Sequence, residues 1–298
     1  MAILVTGAGG LVGRAAVAAL LRQEVEHVRA VVRDPGQVAG LRRLGAKVAL
    51  LEATDPDGLA AAMAGVFTAC SLTGSLWSRP AGDPYRAVVE PARVFLAAAG
   101  AAGVRRVVVC SPAAVGTPAA AANPHLAAKA EVERMVAASG LEHAILRCTH
   151  VLGPGSRLLG LLSGGEPVPV PGDGRQRVAP VWVGDVAAAI AAADDAVELA
   201  ATWALAGPDE LAFDDLVDAL HGGSAAKRHL DGGDGGDRGP GGDGGPEGGL
   251  TPVQVGVLAA DSLPDPALAR PPGLAPTPLA EALAASAGPD RSRVVGPP

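Results

Sequence analysis

The chain has 298 residues, 49% of them hydrophobic and 18% charged, so it can close a large apolar core and falls outside the disordered class. A net charge of −7, with no basic stretch interleaved with aromatics, excludes a nucleic-acid-binding surface. Aromatics are only 2% and tyrosine occurs once, as Tyr85, so any mechanism that needs a tyrosine elsewhere is also excluded.

Taken in chain order, short β-branched runs alternate with alanine-rich stretches of helical period. Strands are predicted over Ile3–Thr6, Val28–Val32, Val48–Leu51, Val66–Cys70, Val104–Cys110 and Ala144–Arg147. Helices are predicted over Leu11–Arg22, Leu59–Ala64, Tyr85–Ala99 and His125–Ser139. The strands are continuous apolar runs, as expected for a parallel sheet with helices on both faces. Four helix starts carry a capping residue followed by proline: Asp55-Pro56, Asp83-Pro84, Asn123-Pro124 and Thr277-Pro278. Asp185 is expected to cap a helix over Val186–Ala193. From His221 to Gly249 the sequence becomes rich in Gly and Asp with almost nothing apolar, and a disordered loop is expected there.

Cys70, Cys110 and Cys148 lie far apart without CxxC spacing, which points to reduced thiols in a cytoplasmic protein and to no metal site. No basic segment precedes the first apolar run, so no signal peptide is expected. The uncharged stretch Val107–Ala128 is broken by Pro112, Gly116, Pro118 and Pro124, so no membrane span is expected.

The strongest chemical signal is Thr6-Gly7-Ala8-Gly9-Gly10-Leu11-Val12-Gly13, directly after the first strand and opening the first helix. Glycines allow the backbone to turn tightly, to approach a pyrophosphate and to pack helix against strand. The helix N-terminus then offers free N–H groups and a positive dipole end to phosphates. In that context the turn reads as a dinucleotide site. At the end of the second strand stand Arg33 and Asp34. A carboxylate there suits the ribose 2′-hydroxyl of NAD, and an arginine suits the 2′-phosphate of NADP. With Arg14 as a second positive charge, NADP(H) is favoured over NAD(H). As a solvated strand end stacked on adenine, Arg33 would permit either.

The turn, the strand "VRRVVVCS", the segment "NPHLAAKAEVERMVAASGLEHAILRCTHVLG" and "VWVGDVAAAI" together resemble the short-chain dehydrogenase/reductase superfamily. The likeness is to its atypical NmrA-like and complex I accessory subunit-like branch, and covers residues 1 to 220. It implies a doubly wound, parallel-sheet Rossmann fold with a small C-terminal substrate-covering region. The expected division is an NAD(P)-binding core over 1–150, further strands and helices with part of the cover over 151–220, the loop over 221–249, the helical part of the cover over 250–288, and a flexible tail over 289–298.

The same resemblance puts Ser111 in the place of the catalytic serine and Lys129 in that of the cofactor-binding lysine. The tyrosine of the usual Tyr-x-x-x-Lys pattern is replaced by His125, in His125-Leu126-Ala127-Ala128-Lys129. His125 and Lys129 are four apart and share a helix face. His125 would fall in the first helical turn, where the dipole disfavours imidazolium and a neutral ring could donate a hydrogen bond or relay a proton. Ser111, His125 and Lys129 are therefore the catalytic candidates. His150, Arg157, Trp182 and Tyr85 are candidates for the border of the substrate pocket.

Two functions follow, with a third, a sugar-nucleotide epimerase or dehydratase, set below them because that chemistry in related enzymes leans on the missing tyrosine and a larger C-terminal domain. One is an NAD(P)H-dependent reductase of a small carbonyl, quinone-like or imine-like acceptor. The other, motivated by the missing tyrosine, is a non-catalytic NAD(P)-sensing or assembly-type protein. Partners are expected to be a small-molecule substrate and, beyond that, a protein partner or a second copy of the chain.

Overall fold

The computed structural model describes residues 2–23, 25, 27–77, 83–197, 199–231 and 250–286. Its centre is a parallel sheet built from β1 (Ala2–Thr6), β2 (His27–Val32), β3 (Lys47–Leu50), β4 (Val66–Ser71), β5 (Arg106–Pro112), β6 (Glu142–Cys148) and the strand Ala200–Leu205. From one edge to the other the order is Ala200–Leu205, β6, β5, β4, β1, β2, β3, every pair being parallel. The chain runs outward one way from β1 through β2 and the other way through β4. A crevice therefore opens at the carboxyl ends of β1 and β4, the place where open α/β sheets bind ligands.

Alternation along the strands sends successive residues to opposite faces. Ile3, Val5, Val108 and Leu146 join one core with α1 (Leu11–Arg22) and α8 (Val183–Asp195), through Ala16, Val17, Leu20, Val186 and Ile190. Leu4, Val107, Val109 and Ile145 face the other way, onto α3 (Pro56–Met63), α4 (Pro84–Ala101) and α6 (Pro124–Ala137). Alanine is abundant because these helices lie close on the sheet: Ala16, Ala99, Ala128, Ala189 and Ala191 are all fully buried. Arg106, at the start of β5, is 1% exposed. It donates to the carbonyls of Ala193, Asp194 and Ala196, which end α8, and to the Glu142 carboxylate at 2.6 Å. Orphan carbonyls at a helix end are thereby satisfied.

A second, smaller core joins Leu158 and Leu162 of α7 (Arg157–Leu162), Phe213 and Leu216 of α9 (Phe213–His221) and Val255 and Leu258 of α10 (Pro252–Leu258) to Leu152, Val168, Val170 and Leu230. Three expectations are corrected here. Lys227–Leu230, inside the segment read as disordered, is a strand paired with Val168–Pro171. The apolar anchor Leu230 is buried, and an average over a glycine-rich stretch hides one such residue. Residues 232–249 and the tail 289–298 lie outside the described residues.

Asp185 does not cap α8, which begins at Val183 with Trp182 as N-cap. Its carboxylate instead accepts from the backbone N–H and hydroxyl of Thr277, both at 2.8 Å. Thr277 therefore does not cap the last helix, α11 (Leu279–Ser286), whose Leu279 N–H is taken by Asp209 at 2.7 Å. The caps Asp55, Asp83 and Asn123 form as expected, each accepting from a first-turn N–H.

Candidate functional site

Glycine is required at two positions of the β1–α1 turn. Gly7 has φ +66°, and a Cβ there would stand 2.7 Å from the Leu72 carbonyl oxygen. A Cβ on Gly13 would stand 2.2 Å from the Gly7 oxygen, so the helix meets the turn only without a side chain. Gly10 is the N-cap and donates its N–H to Gly7 at 3.0 Å, leaving the first-turn N–H groups of α1 without a side-chain cap. These donors, at the positive end of the helix dipole, are what a pyrophosphate needs.

The neighbouring positions divide their work. Thr6 donates its hydroxyl to the Cys70 carbonyl at 3.2 Å and locks β1 to β4, while Ala8 is buried and donates its N–H to Val31 at 3.3 Å. Leu11 and Val12 are half-buried, Leu11 reaching toward Gly153 across the crevice. At the end of β2 the two candidates separate. Asp34 turns its carboxylate back onto the Gly36 N–H at 2.8 Å. Arg33 and Arg14 are exposed and make no hydrogen bond or ion pair with the described residues.

The opposite wall is built from β5 and α6. Ser111 is 5% exposed, and its hydroxyl has no partner among the described residues. Asn123 caps α6 by accepting from the His125 and Leu126 N–H groups at 3.0 and 3.3 Å, which fixes His125 in the first turn. His125 is 4% exposed, and burial first, then the Lys129 charge, lowers its pKa from 6.5 to about 4. The ring is neutral at neutral pH. Lys129 lies one turn further on and is itself buried. Its Nζ donates to the carbonyls of Thr73 at 3.2 Å and Cys110 at 3.4 Å, beyond the ends of β4 and β5. Burial lowers its pKa, opposed by Cys110, Glu133 and Cys148.

The segment after β4 joins the two walls. Gly7 packs against Leu72, the next carbonyl holds Lys129, and a Cβ on Gly74 would stand 3.5 Å from Nζ. The glycine turn and the Lys129 amine therefore border one crevice. The second core is tied to its rim through contacts that are long in sequence. Gln254 of α10 donates to the Leu76 carbonyl at 3.3 Å, Asn123 donates to the Val253 carbonyl at 3.0 Å, and Arg157 donates to the Trp77 carbonyl at 2.8 Å. The sequence reads as helical over 250–288 without α10 being placed within it. The signal for α10 was the reciprocal Thr251/Gln254 cap, a capping box that stands in the sequence.

The remaining candidates are less central. Tyr85 is 44% exposed at the start of α4. Trp182 lays its indole against Gly184. His150 meets Phe213 edge-on at 6.0 Å, its Nε2 is without a partner among the described residues, and burial lowers its pKa to about 4. Arg157 is engaged with the Trp77 carbonyl as described. Cys70, Cys110 and Cys148 are free thiols on adjacent strands. Burial pushes the Cys70 pKa up, and for Cys148 the hydrogen bond with Cys110 does so ahead of burial. Among the described residues no group of three or more His, Cys, Asp or Glu could hold a metal ion, and no helix is long and apolar enough to cross a membrane.

The sequence model of the NAD(P)H-binding family matches residues 7–193, which takes in both walls of the crevice. The chain belongs to that family. No curated protein matches it in sequence. Among solved structures, it is similar to an NADPH-dependent quinone oxidoreductase from Escherichia coli complexed with NADPH, with 23% identity, 95% of this chain and 98% of that one covered, and a TM-score of 0.73. It is also similar to a UDP-glucuronic acid 4-epimerase from Bacillus cereus in complex with UDP-glucuronic acid and NAD, with 17% identity, 96% and 98% covered, and a TM-score of 0.70. A nucleoside-diphosphate-sugar epimerase from Staphylococcus aureus gives 15% identity, 87% and 90% covered, and a TM-score of 0.69. These likenesses establish the doubly wound α/β fold.

The residues present fit a dinucleotide. The turn is a cradle that a Cβ at Gly7 or Gly13 would fill, and the Ser111 hydroxyl is buried without a partner on the facing wall.

Proposed function

We propose that the protein is an NADPH-dependent reductase of a small carbonyl, quinone-like or imine-like acceptor that works without a catalytic tyrosine. The observation that carries the reading is a buried, unpartnered Ser111 hydroxyl at the end of β5, with a neutral His125 and the Lys129 amine on α6, the helix packed against that strand. Gly7, Ala8, Gly9, Gly10, Leu11, Val12 and Gly13 would hold the pyrophosphate over the α1 N-terminus, with Thr6 fixing the turn to β4. Arg33 and Arg14 supply unpaired positive charge for a 2′-phosphate, while Asp34 is engaged in its own loop. That distribution favours NADP(H).

The reduced nicotinamide, when bound, supplies the hydride. Ser111 donates its O–H, and His125 an imidazole N–H, to the acceptor oxygen or nitrogen where negative charge develops. With a pKa of about 4, His125 holds no ready proton at neutral pH, so its part is that of a neutral hydrogen-bond donor and the final proton comes from solvent. Lys129, held by two backbone carbonyls, would donate to the cofactor's ribose hydroxyls and add positive charge beside the reacting atoms. The cover from α10 and the Leu72–Trp77 segment excludes water from this space. We place this activity in the cytoplasm.

The test is NADPH oxidation across a panel of quinones, aldehydes and imines. Wild-type turnover should fall by about a hundredfold in Ser111→Ala and in His125→Ala, with NADPH still bound. Turnover unchanged in both variants would remove the roles given to them. The absent tyrosine favours a second reading, a non-catalytic NAD(P)-sensing protein, and tight NADPH binding without turnover on any acceptor would decide for it.

A further inference from the structure

Asn123 makes bonds to two helices, and only one of them is its own. Its Oδ1 accepts from the His125 and Leu126 N–H groups at the start of α6. Its Nδ2 donates to the Val253 carbonyl at 3.0 Å, in the first turn of α10 and 130 residues further along the chain. An aspartate would cap α6 as well and would suit the helix dipole better, but it has no donor for a second helix. A serine also caps, but its hydroxyl ends one atom short of the place where Nδ2 stands. Asn123 is buried, so both halves of its amide are spent away from water. The facing helix makes room for it, since a Cβ on Gly256 would stand 3.0 Å from Nδ2.

The contact continues in apolar side chains. Leu126, fully buried one residue after His125, shares a small core with Val257 of α10 and with Ala114 and Val115, which follow β5. From its other side α10 reaches the segment that holds Lys129. Gln254 Nε2 donates to the Leu76 carbonyl at 3.3 Å, and three residues earlier the Thr73 carbonyl accepts from Lys129 Nζ at 3.2 Å. The bonds form a closed circuit: from α6 through Asn123 to α10, through Gln254 to the Leu72–Trp77 segment, and back to α6 at Lys129. His125 stands within that circuit, between Asn123 and Leu126. We propose that Asn123 is a positioning residue that ties α10 to the first turn of α6, so that His125 takes its reacting place only while α10 is seated. With the bond to Val253 broken, the cap still starts α6, but no polar contact of Asn123 then holds α10 over that turn, and water gains access to the imidazole.

The proposal rests on the reductase reading for its effect on turnover, and the experiment separates the two. Asn123→Ser keeps an oxygen for the cap and loses the reach to Val253. Gly256→Val leaves Asn123 untouched and drives a side chain into Nδ2; Gly256→Ala, with its Cβ at the same 3.0 Å, replaces it should the valine variant fail to fold. Two quantities are read on the full chain, with circular dichroism as the folding control. One is steady-state turnover with NADPH and the best acceptor of the panel. The other is the titration of the His125 ring by proton NMR, assigned by comparison with His125→Gln. In both variants kcat should fall about tenfold, with the KM for NADPH held within about twofold. The His125 pKa should rise from about 4 toward 6.5 as water reaches the ring. A cap with a merely structural role would lower stability and leave the ring titration where it is. A kcat or a ring titration that matches the wild type in either variant would overturn the proposal. Should the wild type reduce no acceptor, the reductase reading fails, and the ring titration alone decides the tie between α10 and His125 by the same outcomes.

Discussion

Acidification should destabilise the protein through a histidine in the candidate site, and the size of the effect can be worked from His125. Its folded pKa is lowered from 6.5 to about 4, by burial first and by the Lys129 charge second. Above pH 6.5 the ring is neutral in both the folded and unfolded chains and the shift costs nothing. As the pH falls below 6.5 the unfolded chain takes up a proton that the folded chain refuses. Stability is lost over this window until the folded ring also protonates near pH 4. At about 1.4 kcal/mol per pH unit, the full interval amounts to about 3 kcal/mol. His150 is lowered by burial in the same direction. It is present in both proteins of the comparison, so the difference between the wild type and His125→Gln isolates His125. The assay is urea unfolding followed by far-UV circular dichroism at about pH 7.5 and about pH 4.5. The wild type should lose about 2–3 kcal/mol more than His125→Gln between the two conditions. Equal losses in the two proteins would show that His125 is not held neutral and would remove the basis for its role as a neutral donor.

Two further outcomes probe what holds the site in place. Arg106→Ala removes the side chain that ends α8 and leaves three carbonyls without their partner, while Glu142 keeps only Arg105. It should cost about 3 kcal/mol in urea unfolding, and a loss under about 1 kcal/mol would contradict the capping role. Asp185→Ala breaks both bonds to Thr277 and should release the C-terminal segment, at a cost of about 2 kcal/mol. Limited proteolysis should then cut near Thr277 faster than in the wild type. An unchanged cleavage pattern would show that the segment is held by something else.

The sequence was most readable where the physics is local. The Gly7–Gly13 turn, the caps at Asp55, Asp83 and Asn123, and the alternation of Ile3, Leu4 and Val5 each depend on neighbours a few residues away. The place of His125 and Lys129 followed from helical spacing and from the family resemblance. What could not be read involves partners far along the chain. Asp185 looked like a cap because it lies near a helix start, and nothing local reveals a partner 92 residues away at Thr277. Lys129 finds its acceptors in carbonyls of Thr73 and Cys110, which carry no side-chain signature. Leu230 was hidden by its glycine-rich surroundings, although a single buried leucine and a free strand edge at Val168–Pro171 suffice to form the pair.

The glycine turn as a dinucleotide site is tested most directly by one titration. Calorimetric titration of the wild type with NADPH should give saturable binding at one site per chain. In Gly13→Val, whose side chain would run into the Gly7 carbonyl, that binding should be lost while the fold is retained by circular dichroism. No heat of binding from the wild type, or equal affinity in Gly13→Val, would contradict it.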